Sequence, residues 1–466
     1  MVSTASRHVG RDERTLIVSS DGHAMADMAG YKPYLPKHLH AAFDDFLELY
    51  AAHGLRASDP EWLASRLDPD EVDKWRTDVV GEARLTGDSD PHARLVEMDR
   101  DGRAGEILFP DFGRPFELGT PIRESLAGYT RKPEHIAAGR PAHNRWLAEY
   151  VSVAPERFGG MANVDFDNVE AAMTEIRWAR EAGLRGVLLP NFDDDRPLFS
   201  PDFDPIWSLL EDLAMPVNCH VGASSVSNRQ FSTKAMSAVP HPACVLPLFN
   251  AQTQFFTHQI LNHLIWGGVL ERHPRLVVVF TEFGSSWVEG ALLNMDYTYD
   301  GSYLRRDVRS VLRAKPSEYF ARQCYLGSSI FSRAEIGARH TIGLDKMMLG
   351  MDYPHHEGTW AAGPGTLAYL QATLGACEVP ADEARMLLSE NAIRVWGMDG
   401  GSAADRRGPD RPAHGRGAVV AAGGPVPGSA SRSRVPSAES GADLVGRGCR
   451  GLPASARDLS GSHFAR

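Results

Sequence analysis

The stretch Met347-Met-Leu-Gly-Met-Asp-Tyr-Pro-His-His356 begins as a short apolar run and ends in a carboxylate, a proline and two imidazoles. An apolar run of this length, closed by turn-forming residues, is typical of a strand that is buried on both faces. Such strands belong to parallel sheets that are covered by helices. We therefore place Asp352 at the carboxyl end of a parallel strand, the edge where α/β barrels carry their functional side chains.

Seven further segments have the same character, being short, apolar and rich in β-branched or aromatic residues. Segments with helical periodicity, or irregular excursions, separate them. Strands that alternate with helices predict parallel pairing, and eight such units predict a closed (β/α)8 barrel, or TIM barrel, over residues 15–398. The eight predicted strands span 15–23, 105–111, 158–165, 186–190, 216–222, 275–282, 324–327 and 347–352.

Some parts of the chain fall outside this alternation. Residues 24–95 carry helix-like patterns interrupted by prolines, which predicts a mostly helical insertion after the first strand. The stretch 225–242 is predicted to be irregular. We expect a disordered leader over residues 1–14. A disordered C-terminal tail is expected over 399–466, because Gly, Ala, Ser, Pro and Arg dominate it without periodicity.

The composition argues against several classes of protein. The chain has 466 residues with 43% hydrophobic and 23% charged residues, as in ordinary globular proteins. Its net charge of −11 argues against nucleic-acid or anionic-membrane partners. The five cysteines are scattered, so neither a disulfide framework nor a thiolate zinc site is indicated. Without a signal-like apolar segment or a membrane span, we expect a cytoplasmic protein that acts on a small molecule. Apolar residues expected on the surface of the insertion leave a homo-oligomer possible.

Four side chains with metal-binding chemistry fall at predicted strand ends. Asp21 and His23 are two residues apart, so they project from the same face of the first strand. His220 closes the fifth strand and Asp352 the eighth. Any one of them alone has a competing structural role, such as helix capping by an aspartate. Together, two carboxylates and two imidazoles predict one divalent metal ion, with Zn as the first choice and Mn or Fe as alternatives.

These residues and three further motifs resemble a known family. The motifs are Glu282-Phe-Gly284 with Trp287, Leu349-Gly-Met-Asp-Tyr-Pro-His355, and Ser389-Glu-Asn-Ala-Ile-Arg-Val-Trp-Gly397. Together they resemble the amidohydrolase-related TIM-barrel proteins, in the branch that includes aminocarboxymuconate-semialdehyde decarboxylase and γ-resorcylate decarboxylase. The resemblance covers roughly residues 15–398.

The resemblance implies a metal-dependent barrel in which His23, His220 and Asp352 bind the metal. Asp21 replaces the first histidine of the family's usual HxH pair, so the metal's identity is left open. Many members carry a catalytic histidine at the end of strand six, where this chain has Glu282. That carboxylate could bind the metal, act as a general base, bind a substrate cation or form a rim salt bridge.

Three functions remain in competition. We favour hydrolysis of a C–N or C–O bond in a small molecule, in which a metal-bound hydroxide attacks and Asp352 accepts the proton and passes it on. The alternative is non-oxidative decarboxylation, in which Asp352 or Glu282 handles the proton that replaces carbon dioxide. A third candidate is an inactive barrel that serves as a binding protein. The replaced strand-six histidine supports it, whereas the retention of all four candidate ligands opposes it.

Secondary candidates lie beside these ligands. His355 is predicted to orient the substrate or the surroundings of the metal. Arg114, after the second strand, either grips a substrate carboxylate or forms a surface ion pair. Asn191 and Asp111, both at strand ends, complete the set. The substrate itself is not encoded in these motifs, because specificity in barrels depends on the loops.

Overall fold

The computed structural model describes residues 15–398 except 57–59, 65, 120–123, 125–126, 302–306, 329–330 and 362–364. The predicted leader and tail lie outside these residues. A single parallel sheet forms the centre of the described chain. Its strands are β1 (Val18–Ser19), β2 (His23–Ala24), β3 (Gly105–Pro110), β4 (Phe158–Asn163), β5 (Gly186–Leu188), β6 (Val217–His220), β7 (Val278–Thr281), β8 (Cys324–Ser328) and β9 (Met347–Leu349).

The sheet follows chain order from β3 to β9, and β1 and β2 both pair with β3 as two halves of one strand. Backbone hydrogen bonds join this first strand to the chain around β9. They run from Ser20 N to Leu349 O (2.7 Å), from Asp352 N to Asp21 O (2.9 Å) and from His23 N to Tyr353 O (2.6 Å). These bonds close the sheet, and the predicted (β/α)8 barrel is confirmed.

Helices connect the strands and cover the barrel, as the alternating pattern predicts. Capping side chains define several of their ends. Asn168 accepts a hydrogen bond from Ala171 N, and Asp90 accepts one from His92 N. The α-helices span His40–His53, Pro60–Ala64, Pro69–Trp75, Pro91–Asp101, Pro133–Ser152, Val169–Glu181, Asp204–Asp212, Val226–Ser237, Val245–Trp266, Val269–Arg272, Trp287–Asp300, Val308–Val311, Pro316–Gln323, Arg333–Gly337, Arg339–Ile342, Gly365–Ala376, Ala381–Arg385 and Asn391–Trp396.

The prediction for residues 225–242 is wrong. The stretch 225–242, expected to be irregular, contains the helix Val226–Ser237. Ser225 caps it by accepting a hydrogen bond from Asn228 N. Its sequence lacks a continuous apolar stripe. Part of its contact with helix Val245–Trp266 is polar, through the hydrogen bond from Asn228 Nδ2 to Gln259 Oε1 (2.7 Å).

The insertion after β2 is mostly helical, as predicted, and has its own aromatic core. Phe43 and Phe46 pack on Phe116, with ring centroids 5.2 and 5.5 Å apart. Because Phe116 lies in the loop after β3, the insertion covers part of the rim formed by the carboxyl ends of the strands. Within the described part of the chain, no helix combines the length and apolar character needed to cross a membrane.

Candidate active site

The first strand delivers Asp21 and His23 to the rim of the barrel. Both side chains are buried. His23 Nδ1 lies 3.1 Å from the carbonyl oxygen of Pro110, which makes this nitrogen the donor. The other nitrogen, Nε2, then carries the lone pair, and it points towards Asp352 Oδ1 (3.1 Å) and Asp21 Oδ1 (3.8 Å). A histidine held in this way is oriented to bind a metal through Nε2.

His220, the last residue of β6, lies beside Asp21. Its Nε2 is 3.3 Å from Asp21 Oδ1, and its Nδ1 is 3.3 Å from Glu282 Oε2. The imidazole rings of His220 and His23 meet edge to face with centroids 5.0 Å apart. One ligand atom from each of Asp21, His23 and His220 lies within 4.8 Å of the others, so one metal ion could contact all three.

Asp352 completes this arrangement from the chain after β9. Its carboxylate is fully buried, and Oδ1 contacts both His23 Nε2 (3.1 Å) and His355 Nδ1 (3.3 Å). Its Oδ2 atom is buried without a hydrogen-bond partner among the described residues. A buried carboxylate oxygen without a partner is costly, and a cation would remove that cost. Asp352 groups with His23 and His355, one ligand atom from each lying within 4.8 Å of the others, and such a set of imidazole and carboxylate donors fits a divalent metal ion.

The backbone is strained at two of the residues that carry carboxylates into the site. Asp352 has a φ of 55° and Glu282 a φ of 67°, values in the left-handed region that residues with a side chain seldom adopt. Such a conformation costs on the order of 1–3 kcal/mol and is often found at functional sites. The structure thus holds both side chains in directions that an ordinary strand end would not give them.

Glu282 follows β7 directly and is 15% exposed. Burial raises the pKa of its carboxyl well above the ordinary range, and the negative charges of Asp352 and Asp21 raise it further. The loop is anchored behind it, because Glu335 accepts hydrogen bonds from both Ser285 N (2.6 Å) and Ser285 Oγ (2.8 Å).

His355 lies against the candidate metal ligands. It stacks on His23 with ring centroids 4.2 Å apart, and its Nε2 is 3.1 Å from Asp111 Oδ1. Burial acts to lower the pKa of His355. The charge of Asp352 and the hydrogen bonds to Asp111 and Asp352 outweigh burial and raise this pKa well above its usual value. Asp111 therefore holds His355 in place beside Asp352, and a contact of His355 with substrate remains a prediction.

The other predicted substrate-binding residues lie near the rim, in contact with neighbouring loops. Arg114 forms an ion pair with the buried carboxylate of Glu117 (2.8 Å). Asn191 accepts a hydrogen bond from Ser224 N (3.2 Å) in the loop after β6. Their described contacts do not include the four candidate metal ligands, so their roles in binding substrate stay predictions.

Two charged residues at the site were not singled out from the sequence. Arg66, from the insertion, lies over the ring of Trp62 (3.3 Å to the centroid) and 3.8 Å from Glu357. Burial lowers the pKa of Arg66, while the charges of Glu357 and Glu282 act in the opposite direction. No motif marks Arg66, whereas Glu357 directly follows the pair His355-His356 and could have been included with it.

Comparison with known proteins identifies the family. The family described as amidohydrolase matches residues 90–398, which is more than half of the chain. The chain belongs to the amidohydrolase family. The resemblance inferred from the motifs is confirmed, although the matched region begins after Asp21 and His23.

The curated relatives of this amidohydrolase include decarboxylases. The 2-amino-3-carboxymuconate-6-semialdehyde decarboxylase of Dictyostelium discoideum is 24% identical over 315 residues, which cover 66% of this chain and 77% of the relative. The γ-resorcylate decarboxylase of Polaromonas sp. is 24% identical over 291 residues, covering 60% of this chain and 82% of the relative.

Solved structures share the fold. An amidohydrolase from Mycobacterium avium subsp. paratuberculosis superposes with a TM-score of 0.60 at 18% identity, over 83% of this chain and all of that one. A dihydroxybenzoic acid decarboxylase from Polaromonas sp., solved with manganese and the inhibitor 2-nitroresorcinol, gives a TM-score of 0.53 at 16% identity. That superposition covers 84% of this chain and 99% of the decarboxylase.

Proposed function

We propose that this amidohydrolase is a metal-dependent, non-oxidative decarboxylase of a small carboxylic acid. Both curated relatives named above are decarboxylases, which favours this reaction over the hydrolysis that we favoured from the sequence. The observation that carries the proposal is the fully buried carboxylate of Asp352, whose Oδ2 lacks a partner among the described residues beside two imidazoles and Asp21. A cation-binding site of this kind suits an anionic substrate.

Asp21, His23, His220 and Asp352 would hold the metal ion. When bound, the ion supplies positive charge that orients the substrate's carboxylate and a neighbouring oxygen. Manganese is present in the related Polaromonas decarboxylase, so Mn²⁺ is the first ion to test beside Zn²⁺. Imidazole and carboxylate donors accept both ions.

The chain's own side chains account for the remaining steps. Arg66, held over the ring of Trp62 at the mouth of the site and 3.8 Å from Glu357, supplies a positive charge that attracts the anionic substrate. The bond between the substrate and its carboxylate breaks, carbon dioxide leaves, and the electron pair stays on the substrate carbon. Glu282 donates a proton to that carbon and regains it from solvent through its exposed edge. The burial of Asp21, His23 and Asp352 keeps water away from the reacting carbon.

A substrate panel tests this reaction directly. Purified protein loaded with Mn²⁺ or Zn²⁺ is incubated in deuterated water with ortho-hydroxylated benzoates such as γ-resorcylate, with carboxymuconate semialdehydes, and with matched esters and amides. We expect carbon dioxide from at least one acid and one deuterium at the carbon that carried the carboxylate. Cleavage of esters or amides without any release of carbon dioxide would instead establish the hydrolase.

A further inference from the structure

An arginine and a serine on helix Val226–Ser237 have bonding capacity that the described residues leave unused. Arg229 is half-buried and donates a long hydrogen bond to the carbonyl oxygen of Gly222 (3.4 Å), but no carboxylate of the described residues forms an ion pair with it. Ser232 is buried, and its Oγ has no hydrogen-bond partner among the described residues. We propose that Arg229 and Ser232 bind a second carboxylate of the substrate, remote from the one that is released.

The two side chains lie on the same face of the helix. Residues three apart in a helix are neighbours, with Cβ atoms about 5–6 Å apart. A carboxylate placed between them could accept hydrogen bonds from the guanidinium of Arg229 and from the hydroxyl of Ser232. The planar guanidinium matches the two oxygens of a carboxylate. A buried hydroxyl without a partner costs free energy, which an accepting carboxylate oxygen would recover.

The helix begins close to a candidate metal ligand. Gly222, whose carbonyl oxygen contacts Arg229, follows His220 by two residues, and two residues of chain span at most about 7 Å. The chain has open space at this point, since a side chain built on Gly222 would meet no described atom within 4 Å. One small molecule can therefore reach both the metal ligands and Arg229.

The charges around Arg229 leave one positive charge unbalanced. Arg114 and Arg131 share the carboxylate of Glu117 (2.8 and 2.6 Å). Arg131 also pairs with Glu124 (2.7 Å). These two acids balance two arginines, so the charge of Arg229 has no counter-ion within this group.

The other described charges nearby do not change this balance. Arg140, which acts on Glu117, is itself paired with Asp165 (2.7 Å). Burial and the positive charges of the two neighbouring arginines lower the pKa of Arg229 to about 10, and the two glutamates act in the opposite direction. An anionic group carried by the substrate would supply the missing negative charge.

The start of the helix is held in place by the loop after β5. Ser224 N donates a hydrogen bond to Asn191 Oδ1 (3.2 Å), and Val226 N donates one to the carbonyl oxygen of Phe192 (3.0 Å). A binding site on an anchored segment loses less conformational entropy when its ligand binds. Arg229 is thus presented to the substrate from a fixed position.

Binding of paired ligands to the Mn²⁺-loaded, full-length protein tests this subsite. Calorimetry compares aliphatic diacids of increasing length and the three benzenedicarboxylic acids, each beside its own monoamide, which keeps a single carboxylate. We expect at least one diacid to bind about 10-fold or more tightly than its monoamide, as a charge-assisted hydrogen bond provides. Arg229→Gln should remove this preference and leave the affinity for the monoamide unchanged, and Ser232→Ala should remove part of it.

Arg177→Gln is the matched control, because it removes an exposed arginine from helix Val169–Glu181 and should keep the preference. The subsite would be overturned if no diacid bound more tightly than its monoamide in the wild type, or if the preference survived in Arg229→Gln. An equal loss of affinity for diacid and monoamide in that variant would also overturn it, by showing that Arg229 only supports the loop.

This inference rests on the proposed function, because it takes the released carboxylate to lie at the metal ligands, but the two fail in different ways. Decarboxylation of monoacids without any preference for diacids would overturn the subsite alone. A preference for diacids that depends on Arg229, in a protein that releases no carbon dioxide from any acid, would support the subsite and overturn the decarboxylase.

Discussion

At the scale of single residues, Asp352 has the most features that indicate a metal site. It is fully buried, its φ is 55°, and one of its oxygens has no described hydrogen-bond partner. Each feature lowers stability, and a bound cation would compensate for the buried charge and for the unpaired oxygen. Glu282 shares the left-handed backbone, so the strain lies where the two carboxylates enter the site.

Replacing Asp352 by asparagine preserves the shape of the side chain and removes its charge. We expect Asp352→Asn to fold and to bind the metal more than about 100-fold more weakly, since even the loss of a residue that merely supports a ligand costs 10–100-fold. Metal affinity measured by competition with a chelator gives the result. Unchanged affinity would exclude Asp352 from the metal site.

Glu282 should govern proton transfer. We expect Glu282→Gln to lower kcat for decarboxylation by about 10²–10⁴-fold, the usual contribution of a general acid. Glu282→His, which introduces the residue that many family members carry here, should recover part of that loss. Steady-state kinetics on the best substrate of the panel provides the comparison. Equal kcat values for wild type and Glu282→Gln would mean that another group donates the proton.

The sequence predicted that Asp21, His23, His220 and Asp352 meet, because each follows a strand and parallel strands end at one rim. The structure brings these residues together, and their role as metal ligands remains a prediction. The left-handed backbone of Glu282 was not predictable, because φ at a strand end depends on how the loop is anchored. Arg66 was missed because its position depends on how the insertion folds back over the rim.

At the scale of elements, a buried ion-pair network supports the segment that carries His23. Arg94 Nε donates to Glu106 Oε2 (2.8 Å), and Arg94 Nη1 donates to the carbonyl oxygen of His23 (3.1 Å). The Arg94 guanidinium also lies 3.6 Å from the ring centroid of Tyr353, the residue after Asp352. Helix Pro91–Asp101 thus connects the first and last strands of the barrel through a single side chain.

Removing the Arg94 side chain should lower the stability of the fold. We expect Arg94→Met to lower the free energy of unfolding by about 3–5 kcal/mol, because Glu106 would remain buried with fewer partners. Lys74→Met, which breaks an exposed pair with Glu71, should leave the free energy of unfolding nearly unchanged. Urea unfolding of the three proteins checks both values. A loss below about 1 kcal/mol in Arg94→Met would show that the network contributes little.

Periodicity and length located the strands and most of the helices, and the errors at this scale have identifiable causes. The first strand is interrupted over residues 20–22, within which Gly22 forms an isolated bridge with Tyr353, so it appears as β1 and β2. Helix Val226–Ser237 was missed because it lacks an apolar stripe, although Ser225 is an ordinary capping residue. Both features depend on contacts with residues distant in the sequence, Tyr353 for the first strand and Gln259 for the helix.

At the scale of the whole molecule, stability should depend on pH through Asp88. Burial raises the pKa of this carboxyl to about 7, and the charge of Asp111 contributes in the same direction. The folded state binds the proton of Asp88 more tightly than the unfolded state does. The contribution of this protonated carboxyl to stability is therefore complete below about pH 4. It is lost as the pH rises through about 7.

The substitution Asp88→Asn removes this linkage. Relative to the wild type, the variant should gain stability on the order of 1–3 kcal/mol between pH 5 and pH 8, since only the wild type must bury a charge at the higher pH. Denaturant unfolding at both pH values gives the difference. If the free energies of unfolding of the two proteins differ by the same amount at pH 5 and at pH 8, the pKa of Asp88 is not shifted.

The architecture of the whole barrel was predictable because the alternation of strands and helices repeats eight times and each unit supports the same conclusion. The reaction was not, because hydrolysis and decarboxylation use the same metal-binding residues on the same rim. The decarboxylases among the relatives favour the second reaction.

Release of labelled carbon dioxide tests the central claim most directly. Acids that carry ¹³C in the carboxylate are incubated with Mn²⁺-loaded wild type and with Asp352→Asn, and the gas is measured by mass spectrometry. The account predicts ¹³CO₂ from the wild type, abolished by removing the metal and by the substitution. A metal-loaded wild type that releases no ¹³CO₂ from any acid but hydrolyses their esters or amides would contradict it.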